Sequence, residues 1–329
     1  SLGHQVAIFA RVPAGPDGPA DFEVEEGSFE GLRVWRMTHR LDHPNLRASY
    51  EQPGAEAAFT KVLAREKPDV VHFQHLIHSS TSLVRVAKEA GCGTVVHCHD
   101  YWGLCARVQL IRPDGVVCAH NMGAGCFACV KERSLASIPA LADLGSGVVA
   151  GLEELARRAS QMEMLSEKQR TQAREFLDLS DRQEVVLGAY ANCDLQVSPS
   201  RFLRERYLES GAFDAHRFLF SENGLNLEHL CAQDKSPRPE GVLRVGFVGS
   251  LVWYKGCDVL IDAMSLLAGR NVELFIHGSF DPQGDDYHRE LQVRAAGTRT
   301  QFMGRFDNAR LSEVQADLDV LVIPSVWYE

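Results

Sequence analysis

The sequence predicts an α/β protein of two domains, each built on a parallel sheet, and three observations carry that expectation. Short apolar runs alternate with segments of helical periodicity from one end of the chain to the other, the pattern of βαβ units. The length, 329 residues, suits two ordinary domains with sizeable cores. A polar stretch with two prolines, 233–240, separates apolar segments and reads as a linker.

The strand candidates, in order, are Val6 to Phe9, Arg33 to Met37, Val70 to Phe73, Thr94 to Cys98, Leu195 to Ser198, Val242 to Val248, Val272 to His277 and Val320 to Pro324. Between them, apolar residues fall at helical spacing, as in Ala57, Phe59, Val62 and Leu63, or Leu83, Val84 and Ala87. The first domain is expected over 1–234 and the second over 241–329. Within the first, a cysteine-containing loop is expected over 99–130 and a helical insertion, solvated on most sides, over 151–190.

Composition narrows the function classes. The chain is 45% hydrophobic and 24% charged, as globular proteins are, and its formal net charge is -10. A polyanion partner requires a concentrated basic surface, so nucleic acid is not an expected ligand. No apolar run of about 18 residues occurs, and the start lacks the order of a signal peptide. A cytoplasmic location is expected, and the nine cysteines suit a reducing compartment better than a disulfide framework. The chain opens on Ser1, with what reads as a helix end running into a strand, so a fragment lacking both termini is expected.

The chemistry-bearing segment of the second domain begins with the strand ending at Val248. It delivers the chain to Gly249-Ser250, continues to Lys255-Gly256, and enters a helix from about Asp258 to Leu267. Such a turn is either an ordinary connection or an anion site, since glycine admits close backbone approach, free N–H groups point outward, and Lys255 adds a positive charge. No GxGxxG or Walker A pattern is present, which removes the standard dinucleotide fold and the P-loop ATPases. Asp317-Leu318-Asp319 has the spacing of a metal-binding DxD, but Asp319 heads a strand and is read as structural.

Further landmarks follow: Gly278 after a strand, Phe302-Met303-Gly304, and Asp319 through Pro324-Ser325 to Glu329. In this order they resemble the retaining glycosyltransferases of the GT-B fold, family 4 type. The first domain agrees through Pro68-Asp69-Val70-Val71-His72, the His99-Asp100 loop, Ala191 to Asp194 with Pro199-Ser200, and Asn223-Gly224. The resemblance covers nearly the whole chain. It implies two Rossmann-like domains and transfer of a sugar, with retention of configuration, from a nucleotide-sugar donor (UDP-, GDP- or ADP-linked) to a glycan or lipid-linked acceptor. Polysaccharide biosynthesis and peripheral contact with a membrane belong to the same expectation.

Residue by residue, the resemblance places Lys255 against the donor diphosphate, Glu329 on hydroxyls of the transferred sugar and His99 near that sugar. Gly249, Ser250, Gly278 and Ser325 form the donor-binding loops. The chain departs from the pattern at Ser250, where the family has Arg, and it stops at the first of two paired glutamates. Preorganised donors can stabilise a departing diphosphate and a cationic sugar without a metal, so no catalytic metal is expected. Two rivals stay open: a nucleotide-sugar epimerase on the same fold, and a binding module without turnover, the latter motivated by Ser250 and the early stop.

For His99, a role in turn hydrogen bonding stands beside the functional one, and His72 and His75 read as structural. Cys105, Cys118, Cys126 and Cys129, spaced C-x12-C-x7-C-x2-C in a polar loop, could satisfy a structural zinc ion, with His120 able to replace one ligand. Four reduced cysteines or an iron–sulfur cluster are the alternatives. Inside that loop, Arg107 to Gly115 reads as a hairpin turning at Asp114-Gly115 and shaping the acceptor site.

Overall fold

The computed structural model describes residues 3–15, 18–112, 114–118, 124–130, 146–224 and 241–327. The expected linker, 233–240, lies outside the described residues, as do His120 and Glu329. The chain forms two compact units, residues 1–222 and 223–328.

The first unit holds two sheets. In one, β1 (Ala7–Val12) pairs in parallel with β3 (Leu32–Thr38), and β2 (Val24–Phe29) pairs antiparallel with β3. This antiparallel edge departs from the all-parallel expectation. Its sequence, VEEGSF, has no apolar alternation, because an edge strand with solvent on one face is held by its ladder and by charge. Glu26 lies 3.5 Å from both Arg33 and Arg65.

The other sheet is fully parallel, in the order β4 (Val70–Phe73), β5 (Gly93–His97), β6 (Leu195–Ser198), β7 (Phe218–Phe220). Helix α1 (Pro53–Glu66) starts on a proline, whose missing N–H costs nothing at a helix start, and ends at Lys67 in the left-handed conformation before Pro68. It buries Ala55, Ala58, Phe59, Val62 and Leu63, one face of the helix. Phe59 meets Phe9 at 5.2 Å and Phe73 at 6.2 Å, so one side chain joins the two sheets.

Helix α2 (Leu83–Glu89) follows β4, and three helices follow β5: α3 (Ala124–Val130), α4 (Ser146–Gln161) and α5 (Glu167–Ala191). A capping box of Ser166 and Gln169 starts α5. The insertion is less solvated than its charge suggests, because the second half of α5 buries Leu179, Arg182, Val186, Leu187 and Tyr190. Helix α6 (Arg201–Leu208) is capped by Ser200.

The second unit is a single parallel sheet in the order β10 (Thr300–Gly304), β9 (Val272–His277), β8 (Leu243–Val248), β11 (Val320–Leu321). Helices α7 (Cys257–Leu266), α8 (Asp286–Ala295) and α9 (Leu311–Ala316) provide the crossovers. Strand and helix faces meet in a core of Val245, Phe247, Leu260, Ile261, Met264, Leu274, Ile276 and Leu291. Because parallel strands need crossovers, all four carboxyl ends emerge along one edge, where open sheets gather their ligand loops. Asp319 is structural: its amide donates to the Arg244 carbonyl (2.8 Å) and its carboxylate accepts from the Arg244 amide (2.9 Å).

Asp194 fastens β6 to β5. Its carboxylate accepts from Lys88 Nζ (2.9 Å) and from the Thr94 hydroxyl (2.8 Å) and amide (2.7 Å). These bonds, that to Lys88 first, hold its carboxyl down to about 2. Asp194→Ala is expected to lower the thermal midpoint by several degrees, about 1–2 kcal/mol for three lost hydrogen bonds on a half-exposed group. Because the folded carboxyl titrates below the unfolded one, its contribution drains as pH falls from about 4 towards 2. A variant whose midpoint equals the parent's at neutral pH would contradict this assignment.

Candidate functional site

In the second unit, the loops at the carboxyl edge enclose a cleft of about 490 Å³ lined by Val248 to Val252, His277, Gly278, Ser279, Asp285, His288, Arg305, Phe306 and Asn308. Its narrowness comes from missing side chains. A Cβ on Gly278 would stand 2.2 Å from the Gly249 carbonyl oxygen, and one on Gly256, whose φ is 69°, would stand 2.1 Å from the Pro324 carbonyl oxygen. The loops after β8, β9 and β11 therefore touch backbone to backbone.

His288, buried on α8, sets the Ser250-Leu251 segment. Its Nδ1 accepts from the Asp281 amide (3.0 Å), which leaves the proton on Nε2 to donate to the Leu251 carbonyl (2.9 Å). His277 ends β9 against Phe306, ring centroids 5.8 Å apart, and burial lowers its pKa.

Of the sequence-derived donor residues, the structure brings Gly249, Ser250 and Gly278 together on the cleft wall. Lys255 and Ser325 lie beyond Gly256, on the loops that meet there. The Lys255 ammonium stands 5.3 Å from the Trp327 ring centroid, and the Val326 amide donates to the Tyr254 carbonyl (3.1 Å). The Ser325 hydroxyl is buried without a hydrogen-bond partner among the described residues. The start of α7 carries its own carboxylate, Asp258, which accepts from the Tyr287 hydroxyl (2.9 Å), so this helix end is less open to anions than the glycine turn suggests.

Arg305, Phe306, Asn308 and His288 were not singled out in the sequence. Arg305 has a local signal, directly following the Phe302-Met303-Gly304 turn. His288 has none, because its role depends on a carbonyl 37 residues away.

In the first unit, polar residues gather at the carboxyl ends of β4 and β5. His99 Nε2 is 2.9 Å from Gln74 Oε1, and its ring stacks on His97 at 4.0 Å, with His72 stacked beyond at 5.8 Å. His75 Nδ1 accepts from the Ile77 amide, so Nε2 carries the proton and donates to Asp100 (3.1 Å). Asp100 also accepts from the Trp102 amide (2.8 Å), which fixes the His99-Asp100 loop. Burial and then the neighbouring His99 and His72 press the His97 pKa down to about 4, and burial lowers His99 and His72 as well. His99 is thus a neutral imidazole near pH 7, able to donate or accept a hydrogen bond and carrying no charge.

The expected hairpin at 107–115 is shorter and later. A single antiparallel bridge joins Ile111 and Val117, with Gly115 at φ 80° in the turn. Residues before it are not strand: Val108 and Leu110 have φ of 74° and 54°, left-handed values that a β-strand excludes. Cys105, Cys118, Cys126 and Cys129 stand as thiols, and burial raises Cys105 and carries Cys129 up to about 11. Among the described residues, no three His, Cys, Asp or Glu side chains converge to metal-ligand distance. Nor is any described helix long and apolar enough to cross a membrane.

Residues 1–224 match the glycosyl transferase 4-like domain model, and 243–329 match that of glycosyl transferases group 1. Among curated proteins, the glycogen synthase of Rhodopseudomonas palustris (strain ATCC BAA-98 / CGA009) is 32% identical over 89 residues, 27% of this chain and 18% of that protein. The glycogen synthase of Methylocella silvestris is 37% identical over 99 residues, 28% and 20% of the two chains. These matches therefore span about a fifth of the relatives' length. Among solved structures, the sucrose-phosphate synthase of Thermosynechococcus elongatus aligns with TM-score 0.55 at 17% identity, covering 98% of this chain and 66% of that one. A glycosyltransferase from Rickettsia africae aligns with TM-score 0.51 at 12% identity, covering 90% and 60%. At these identities the likeness is one of fold.

His97 sets a pH test. Unfolded, its imidazole takes a proton near pH 6.5, whereas folded it resists until about 4, so the unfolded chain binds more protons between these values. Stability is full above about 6.5 and falls with pH through this window, His97 contributing on the order of 2 kcal/mol. A thermal-midpoint series from pH 7 to 4 is expected to slope less steeply for His97→Asn than for the parent. Equal slopes would remove His97 from this role.

Proposed function

Because the chain belongs to the GT-B glycosyltransferases, with a glycosyl transferase 4-like first part and a group 1 second part, we propose that it moves a sugar from a nucleotide-sugar donor to a glycan acceptor with retention of configuration. The observation that carries this reading is the glycine-closed cleft at the carboxyl edge of β8 and β9. A fold neighbour at TM-score 0.50 and 10% identity is bound with UDP-2-fluoro glucose, which supports a nucleotide-sugar as the donor. The glycogen synthase matches support polysaccharide synthesis as the setting.

In this reading, each residue answers one demand of the reaction. The departing diphosphate carries negative charge into a chain whose formal net charge is -10, so local donors must hold it. Ser250 offers a hydroxyl where the family has Arg, and the backbone N–H groups of Ser250 and Leu251 and the orphan Ser325 hydroxyl add uncharged donors, those of Gly249 and Val252 being committed to the His277 and Ser250 carbonyls. Lys255 supplies a cation beside Gly256, and Arg305 supplies one in the cleft lining. The neutral His99 imidazole accepts or donates a hydrogen bond at the sugar without repelling a developing oxocarbenium ion. Glu329, outside the described residues, would take hydroxyls of the transferred sugar. The acceptor is a glycan, free or lipid-linked.

A titration of the thermal midpoint with UDP, GDP, ADP and their glucose conjugates tests the donor. One nucleotide series is expected to raise the midpoint, by about 2.7 kcal/mol of apparent stability at a hundredfold excess over Kd. Lys255→Ala and Arg305→Ala should each weaken that Kd about tenfold or more. Release of free nucleotide only when a soluble or lipid-linked oligosaccharide is present would support transfer. Conversion of the donor sugar without an acceptor would instead mark an epimerase, and binding without any turnover a module that only captures its ligand. No shift with any nucleotide would overturn the donor reading.

A further inference from the structure

In a closed four-residue turn the carbonyl of the first residue accepts from the amide of the fourth. In Asp100-Tyr101-Trp102-Gly103, directly after His99, another group stands between the two. The Tyr207 hydroxyl donates to the Asp100 carbonyl (2.9 Å) and accepts from the Gly103 amide (3.1 Å). A phenol has one proton to give, so both ends of the turn are satisfied through this single oxygen.

The other polar groups of the segment are committed as well. The Tyr101 carbonyl accepts from the amides of Leu104 (2.8 Å) and Cys105 (2.7 Å), and the Trp102 carbonyl accepts from Arg182 (2.7 Å). The Trp102 amide donates to the Asp100 carboxylate (2.8 Å), which His75 holds in turn (3.1 Å). The segment is thus fixed by α5 through Arg182, by α6 through Tyr207 and by the loop after β4 through His75. Of these three side chains, only Tyr207 touches the backbone at both ends of the turn.

Tyr207 reaches this place through packing and through one glycine. It lies fully buried in the last turn of α6, a helix started by the Ser200 hydroxyl, which accepts from the Leu203 amide (3.0 Å). Tyr190, Phe213 and Phe218 surround its ring at centroid separations of 6.4, 5.7 and 6.0 Å. A Cβ on Gly103 would stand 2.7 Å from Tyr207 Cε1 and 2.9 Å from the hydroxyl oxygen. The Gly103 backbone is not left-handed, so glycine is needed here for space: it makes room for the phenol.

Packing alone does not call for the hydroxyl. A phenylalanine would make the same ring contacts, and the Asp100 carbonyl could then take the Gly103 amide directly. What the oxygen adds is separation, holding the two ends of the turn apart and so setting the backbone from which His99 projects. That side chain requires a defined backbone, because its Nε2 lies 2.9 Å from Gln74 Oε1 and its ring stacks on His97 at 4.0 Å.

We propose that Tyr207 is a positioning residue for sugar transfer: its buried hydroxyl, inserted between the Asp100 carbonyl and the Gly103 amide, holds the loop in the shape that directs the His99 imidazole at the sugar. This rests on the proposed function for the role of His99, and on the hydrogen bonds of 100–103 for its placement.

Tyr207→Phe keeps the ring and removes the bridge. In protein labelled with 15N-histidine, the His99 imidazole resonances, identified by their loss in His99→Asn, are expected to shift in Tyr207→Phe, while those of His39, in the other sheet of the same unit, stay in place. Gly103→Ala displaces the hydroxyl from the opposite direction and should shift the same resonances, which gives a reading should Tyr207→Phe fail to fold. His99 resonances unmoved in the folded variant would overturn the proposal, as would an equal shift at His39, the mark of a generally loosened unit. With UDP-glucose and an oligosaccharide acceptor, Tyr207→Phe should lower kcat about tenfold or more and leave the KM for UDP-glucose within about twofold of the parent's. A parental kcat in His99→Ala would remove the sugar-side role of His99, and the proposal with it. Loss of turnover in His99→Ala beside a parental kcat in Tyr207→Phe would overturn the proposal alone.

Discussion

The second unit depends on backbone approaching backbone where no side chain can fit. At Gly278 and Gly256, a single methyl would overlap a carbonyl oxygen of the neighbouring loop, and at Gly246 it would overlap the buried Leu318 side chain. Van der Waals exclusion of this kind is steep, so these positions determine how near the loops after β8, β9 and β11 can come. The apolar core beneath holds the strands in register, but the absence of three Cβ atoms lets their ends close into a cleft rather than a flat edge. Polar positioning follows from that closure. His288 can reach the Leu251 carbonyl, and Phe306 can lie against His277, only because the loops are already drawn together.

The first unit solves a different problem, that of keeping titratable groups uncharged. Four imidazoles, His72, His75, His97 and His99, crowd the ends of β4 and β5. Stacking at 4.0 Å is tolerable for neutral rings and repulsive for two cations, and burial adds the desolvation cost of either charge. His75 is the exception in kind, since its proton is committed to Asp100, and that carboxylate in turn fastens the backbone at Trp102. A neutral stack beside one fixed His–Asp pair offers hydrogen bonds of defined direction without a cation among its imidazoles.

Much of this was legible in the sequence where short apolar runs are bounded by polar and turn-forming residues. Strands β4, β6 and β9 begin and end where the Val-rich runs at Val70, Leu195 and Val272 do. The strands that were missed are those without such a run. β2 is an edge bearing two glutamates, β7 is three residues long, and β10 alternates half-buried residues with the exposed Gln301 and Met303. Ligand-loop glycines were legible because a glycine directly after a strand has a local meaning. Long-range partners were not: nothing near Arg182 announces that it will lie on Trp102, 80 residues earlier. The segment at Val108 and Leu110 was read as part of a hairpin because an apolar, partly β-branched run favours strand, whereas both residues take left-handed φ values.

The substitution of Ser250 for the arginine of the family pattern then has a physical consequence for the donor reading. A guanidinium at that turn would bind a diphosphate through charge and two parallel hydrogen bonds, at the cost of desolvating a cation in a cleft whose lining carboxylate, Asp285, already accepts from the His288 amide (3.1 Å). Serine gives up the charge and leaves the turn neutral. The electrostatic work then moves to the two ends of the site: to Lys255, whose ammonium is already partly desolvated against Trp327, and to Arg305 on the exposed rim. A cation on the rim keeps its hydration until the ligand arrives, so it attracts at long range and holds weakly, whereas the amides and hydroxyls at the closed end hold by direction at short range. Discrimination between diphosphates and other anions would then come from geometry at the glycine-closed turn rather than from the total positive charge around it.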